Sequence, residues 1–360
     1  MRIWAPPCSV LLVVLSLLML HGPQIPSQPE FSIRVEPASK REPLTWAAPH
    51  GVTILLMGED PQHRFDRNLA DAGELGSKWV QITFPAYQYR YNSIRFPQVD
   101  RRAPTPSQVA QSIHKARSSG FRIALHPILL LQDDQGSHWR GNLQPDRPTE
   151  WFQHYQQWIT TWARIAQQQG VEILFVGSEF SSLEKYQTQW SAIVKEVRQI
   201  YKGLVTYSAN WDSWPNIPFS DEIDALGINS YQPYEMTQDP THEDLIHQML
   251  PLRSKMLLWS RANKTPIYFS ELGYPSHERA AEAPWDQSRG ERADPLQQKR
   301  LHHAFLESFF ADSEIQGVFF YALHGDGGIS DRGYTPRGKP VLELFKKHLE
   351  KFSEKVQKLP

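Results

Sequence analysis

The feature that most constrains this chain is a repeated alternation. Short apolar, β-branched or aromatic runs are separated by longer segments of helical period. The runs are Val52–Met57, Trp79–Phe84, Arg122–Leu131, Glu172–Val176, Leu204–Ala209, Ala225–Ser230, Ile267–Ser270 and Gly317–Leu323. Their near-continuous apolar character suits parallel strands covered on both faces. The helical segments are Phe65–Leu75, Ser107–Ser118, Glu150–Gln168, Leu183–Tyr201, His242–Arg261, Pro295–Ala311 and Val341–Lys355. After Leu204–Ala209 only a short turn is expected, near Ser220–Ile223. Thr149 suits an N-cap and Gly170 a C-cap. Eight strands alternating with helices predict an α/β chain with a single (β/α)8 TIM barrel. A doubly wound sheet is the structural alternative, but no glycine-rich phosphate loop follows the first run.

The barrel does not begin at the N-terminus. Arg2 precedes the apolar run Ser9–Leu20, about as long as the hydrophobic part of an export signal and short for a membrane span. Residues 1–22 are therefore expected to be a signal peptide or an N-terminal anchor, residues 23–46 a proline-rich linker and residues 47–357 the barrel. The body of the protein is expected to be secreted, periplasmic or anchored on the outside. Lys and Arg number 38 against 39 Asp and Glu, a net charge of −1, and no local basic patch stands out. That balance argues against a nucleic acid partner. The one cysteine, Cys8, excludes an internal disulfide and a cysteine metal site. Twelve tryptophans fit either a large aromatic core or platforms for sugar rings.

Barrels of this kind place their chemistry at the C-terminal strand ends. The fourth run ends in Gly177-Ser178-Glu179 and the seventh in Ser270-Glu271-Leu272-Gly273-Tyr274. Either glutamate alone also reads as a helix-terminal charge or an ion-pair partner. Two together, on strands four and seven, supply what glycoside hydrolysis needs: a proton donor for the leaving oxygen and a carboxylate for the anomeric carbon.

These segments, with Trp139-Arg140-Gly141-Asn142, Trp151-Phe152, Ser208-Ala209-Asn210-Trp211 and Gly338-Lys339-Pro340, resemble glycoside hydrolase family 113. That group comprises retaining β-mannanase-type barrels of the clan A superfamily. The resemblance runs from about His50 to Phe345. It implies that Glu179 is the acid/base and Glu271 the nucleophile, and that the substrate is a β-linked polysaccharide or oligosaccharide, foremost β-1,4-mannan. Ser178 stands where many clan members carry Asn. Strand eight reads Phe320-Tyr321-Ala322, where the clan often ends on Trp.

Further residues are candidates for substrate contact. Tyr231, ending strand six, is placed to bond Glu271. His126 is placed to bond a sugar hydroxyl or Glu179, although a lone histidine in an apolar run is more often structural. Asn210 suits sugar hydroxyls and Trp211 a sugar face. Trp139 and Arg140, in the polar loop Asp133–Asn142, would wall a cleft; Arg140 reads equally as a brace to a carboxylate. The glycine-rich segment Gly325–Arg337 lacks EF-hand spacing and reads as a flexible lid. His242 and His247 lack zinc spacing. No metal and no cofactor is expected, and the chain is expected to be a monomer. Two alternatives stay open: the same machinery on another extracellular or cell-envelope glycan, and a non-catalytic glycan-binding barrel. The latter predicts loss of one carboxylate, and both are present.

Overall fold

The computed structural model describes residues 46, 48–58, 61–98, 100–133, 138–235, 241–311 and 315–356. The expected signal segment lies outside them. Among the described residues no helix is long and apolar enough to cross a membrane.

Eight parallel strands close on themselves in sequence order. They are β1 (His50–Leu55), β2 (Trp79–Gln88), β3 (Arg122–Leu131), β4 (Ile173–Ser178), β5 (Leu204–Asn210), β6 (Ala225–Ser230), β7 (Ile267–Leu272) and β8 (Val318–Leu323). Outside them lie α1 (Pro61–Glu74), α2 (Pro106–Ser118), α3 (Pro148–Gln169), α4 (Gln187–Ile200), α5 (His242–Asn263), α6 (Pro295–Phe310) and α7 (Val341–Val356). The β5–β6 link carries a single 3-10 turn at Trp214–Asn216.

Local differences from the sequence expectation have physical causes. α3 begins at Pro148, whose fixed φ suits a first helical position, so Arg147 and not Thr149 takes the cap. Gly170 caps its other end at φ 66°, a left-handed conformation that glycine adopts without cost. α4 starts at Gln187 because residues 180–186 fold into a tight turn, with the N–H groups of Leu183 and Glu184 both donating to Phe180 O. β2 runs through Pro85 to Gln88, paired along β3 over ten residues.

The lumen is layered. At the bottom Trp79, Ile173, Phe175, Leu204, Tyr268 and Phe319 form an apolar plug. The Trp46 indole packs on Tyr268 at 4.7 Å and donates to Gln316 O at 2.9 Å. Above it the lumen turns polar. Asn229 Oδ1 accepts from Ser208 (2.7 Å) and Ser270 (2.9 Å). The larger apolar core lies between strands and helices, with Trp151, Tyr155 and Trp190 fully buried there.

Candidate active site

At the C-terminal mouth lies a cavity of about 610 Å³. Its walls are Trp139 and Arg140 from the β3–α3 loop, Glu179 after β4, and Asn210, Trp211 and Asp212 after β5. Tyr231 follows β6, Glu271 comes from β7, Trp285 and Gln287 from the β7–α6 loop, Tyr321 from β8 and Tyr334 from the β8–α7 loop.

Strand alternation explains how Glu271 reaches this cavity. Tyr268 faces the lumen and Phe269 the outer core, where it packs on Phe305 and Phe309. Ser270 points inward again, onto Asn229. Strict period two would turn Glu271 outward. A register shift against both neighbours at this point inserts one residue, and Glu271 turns inward as well. Glu179 is turned differently. It adopts φ 54°, a left-handed conformation costing an L residue about 1–2 kcal/mol. Phe180 then drops into the outer core beside Trp151, Tyr155 and Trp190.

Both carboxylates are buried, each about 4% exposed. Arg140 forms an ion pair with Glu179. The Tyr231 hydroxyl donates to Glu271 Oε2 at 2.7 Å. Burial first, and the field of Glu179 second, push the Glu271 carboxyl above its ordinary value, while Arg140 and the Tyr231 hydrogen bond pull against them. Burial works against the Arg140 charge, but the fields of Glu179 and Glu271 outweigh it. Burial also drives the Tyr231 phenol well up, so it stays a donor.

Seven of the eight residues singled out from sequence line this cavity. The eighth, His126, is fully buried and absent from the walls. Its Nδ1 lies 3.2 Å from Gln81 Nε2, 3.3 Å from Thr83 Oγ1 and 4.0 Å from Glu271 Oε1. The ring stacks on Phe175 at 4.1 Å. Desolvation holds it well below its usual pKa, and so neutral. It supports the cavity floor on the Glu271 side. Arg140 both walls the cavity and braces a carboxylate, the two roles its sequence position suggested.

Segment 325–337 is strapped down, not a free lid. Arg337 Nε donates to Asp71 at 2.7 Å and Nη2 to Asn68 at 2.9 Å. Lys339 holds Asp331 at 2.7 Å and Gly333 O at 2.8 Å. The Tyr334 hydroxyl donates to Pro284 O at 2.7 Å, tying this loop to the one that carries Trp285.

Sequence reasoning missed Trp285, Gln287, Asp212 and Tyr334 in the walls, and Glu184 behind them; Tyr321 it noted only as standing where a Trp is expected. Trp285 is 52% exposed and lies near parallel to Trp211, 10° between planes and 6.3 Å between centroids. Trp139 is 40% exposed. Glu184 is buried; burial raises its carboxyl to about 7 against the Tyr207 and Ser213 hydrogen bonds. A tryptophan loose in a polar loop, as Trp285 is, was the one available signal.

Away from the cavity, His242 of α5 and His303 of α6 flank Glu307. The two rings stack, 4.7 Å and 30° apart. One ligand atom from each of the three side chains lies within 4.8 Å of the others. His242 meets one Glu307 carboxylate oxygen across the two helices, and His303 lies 3.7 Å from the other.

The model of Glycoside Hydrolase Family 113 matches residues 57–326. The sequence matches no curated protein. Among solved structures, the GH113 β-mannanase AaManA from Alicyclobacillus acidocaldarius aligns at TM-score 0.75 and 20% identity, over 86% of this chain and 98% of that one. A GH113 β-1,4-mannanase aligns at 0.75 and 21%, over 85% and 99%. A β-glucuronidase from Faecalibacterium prausnitzii aligns at 0.58 and 12%, over 84% and 48%. These likenesses share the barrel fold.

Proposed function

The chain belongs to Glycoside Hydrolase Family 113, and from that premise we propose that it cleaves β-1,4-linked mannan with retention, using Glu179 as acid/base and Glu271 as nucleophile. One observation carries the reading: two buried carboxyls from β4 and β7 line one cavity, with one guanidinium beside them. With a single proton on the pair, the three groups sum to zero charge, which a desolvated site favours. One proton over two carboxyls is also what double displacement needs.

In the first step Glu271 forms a bond to the anomeric carbon while Glu179 gives its proton to the departing glycosidic oxygen. Tyr231 holds Oε2 of Glu271 and leaves Oε1 to the sugar. In the second step Glu179 takes a proton from water, water adds to the anomeric carbon, and the bond to Glu271 breaks. The product keeps the β configuration. For Glu179 to hold the proton in the first step, its ion pair with Arg140 has to open as sugar enters. Trp139, Trp211 and Trp285 offer ring faces to successive sugars. The substrate assignment leans on the mannanases of similar fold.

Tyr321 favours a second reading. Strand eight brings a phenol to the cavity, where the resemblance leads one to expect an indole, and that difference fits another glycan of the cell exterior. Residues 1–22 serve export or anchoring in this account, and residues 23–46 link them to the barrel. Incubating the secreted form with mannan, glucan, xylan and galactan and measuring reducing ends tests it. Release from mannan alone is expected; release from another polymer alone selects the second reading.

A further inference from the structure

An L side chain stays in the left-handed region only where its surroundings impose it. At Glu179 the surroundings are specific. Its own N–H donates to Ser208 O at 2.7 Å. The next N–H, of Phe180, donates to the Tyr207 hydroxyl at 2.9 Å. A phenol has one proton, and Tyr207 gives it to Glu184 Oε1 at 2.9 Å. That leaves an oxygen lone pair for Phe180. Ser213 steadies the same Glu184 oxygen at 3.4 Å. Gly177 makes room for the arrangement: a Cβ there would sit 2.7 Å from the Tyr207 ring. Neither Tyr207 nor Glu184 lines the cavity, and the reaction as written uses neither.

We propose that Tyr207 and Glu184 are positioning residues that lock the turn at Glu179 and so aim its carboxyl at the glycosidic oxygen. The inference rests on Glu179 being the acid/base. Glu184 sets the phenol rotor; without an acceptor there, the Tyr207 proton is free to point at the Phe180 N–H, and the turn loses its hold.

The test uses Tyr207→Phe, Glu184→Leu and Glu184→Gln with aryl β-mannosides of graded leaving-group pKa. kcat/KM reports the aglycone-releasing step, which needs the aimed acid only when the leaving group is poor. Tyr207→Phe and Glu184→Leu are expected to lose about 10–100-fold on phenyl mannoside and almost nothing on the dinitrophenyl compound. Glu184→Gln keeps a carbonyl acceptor and should stay near wild type. A loss equal across all leaving groups would mean a scaffolding role and overturn the proposal. A crystal structure of Tyr207→Phe reads the claim by a second route. Glu179 relaxing out of the left-handed region supports it; an unmoved backbone and carboxyl overturn it. If the wild type cleaves no mannoside, the substrate assignment falls, and the crystal structure still decides this point.

Discussion

The Tyr231 hydroxyl donates to Glu271 Oε2 across 2.7 Å, from the end of β6 to the end of β7. The bond fixes one carboxylate oxygen and removes charge from it, leaving the other free to attack. Tyr231→Phe should lower kcat by about 10–100-fold with KM within about threefold, because ground-state sugar contacts survive. Steady-state kinetics on mannan oligosaccharides check it. A rise in KM with unchanged kcat would make Tyr231 a binding residue only.

Arg140 favours the ionised form of Glu271 through space, pulling its pKa down against burial. A cation within about 4–6 Å is worth roughly 1–3 pH units to a carboxylate. In Arg140→Met the acid limb of the kcat/KM profile should therefore move to higher pH by about one unit or more. An unmoved limb would separate Arg140 from the pair.

Glu184 makes stability depend on pH. Its folded value, raised to about 7 by burial, lies above its ordinary 4.5. Between these values the folded state binds more protons than the unfolded, so this group stabilises below about pH 4.5 and loses that contribution as pH rises through 7. The gap, at about 1.4 kcal/mol per pH unit, amounts to roughly 3 kcal/mol. Glu184→Gln carries no such charge. Its Tm advantage over wild type should grow from pH 5 to pH 8. The subtraction also removes the opposite contributions of His302 and His348, which burial lowers to about 4 and about 3. A Tm difference constant with pH would place an ordinary carboxyl at 184.

Trp285 stands at the cavity rim, parallel to Trp211. Trp285→Ala should raise KM for mannan about tenfold, roughly 1.4 kcal/mol of lost ring stacking, and leave aryl mannoside cleavage within about twofold. Equal effects on both substrates would put Trp285 beside the cleaved bond.

The barrel was legible because parallel strands covered on both faces leave runs such as Arg122–Leu131, which no loop resembles. Glu179 and Glu271 stood out because each breaks an apolar run at its end. What escaped notice was decided by long-range packing. The β7 register shift that turns Glu271 inward has no signature within Ile267–Leu272. Glu184 sits in a segment of helical period, yet residues 180–186 fold into a turn that sets it beside Tyr207. Segment 325–337 reads as a lid by its glycines, yet Asp71 and Asn68, more than 250 residues away in sequence, pin it through Arg337.

The central claim is double displacement by Glu179 and Glu271, and azide reads it most directly. Glu179→Ala and Glu271→Ala are given azide and an activated aryl β-mannoside, and the product anomer is identified by NMR. Azide needs no general base, so in Glu179→Ala it should attack the covalent intermediate and give the β-glycosyl azide. In Glu271→Ala it should enter on the vacated side and give the α-azide. The same anomer from both variants, or full activity in either without azide, would contradict the account.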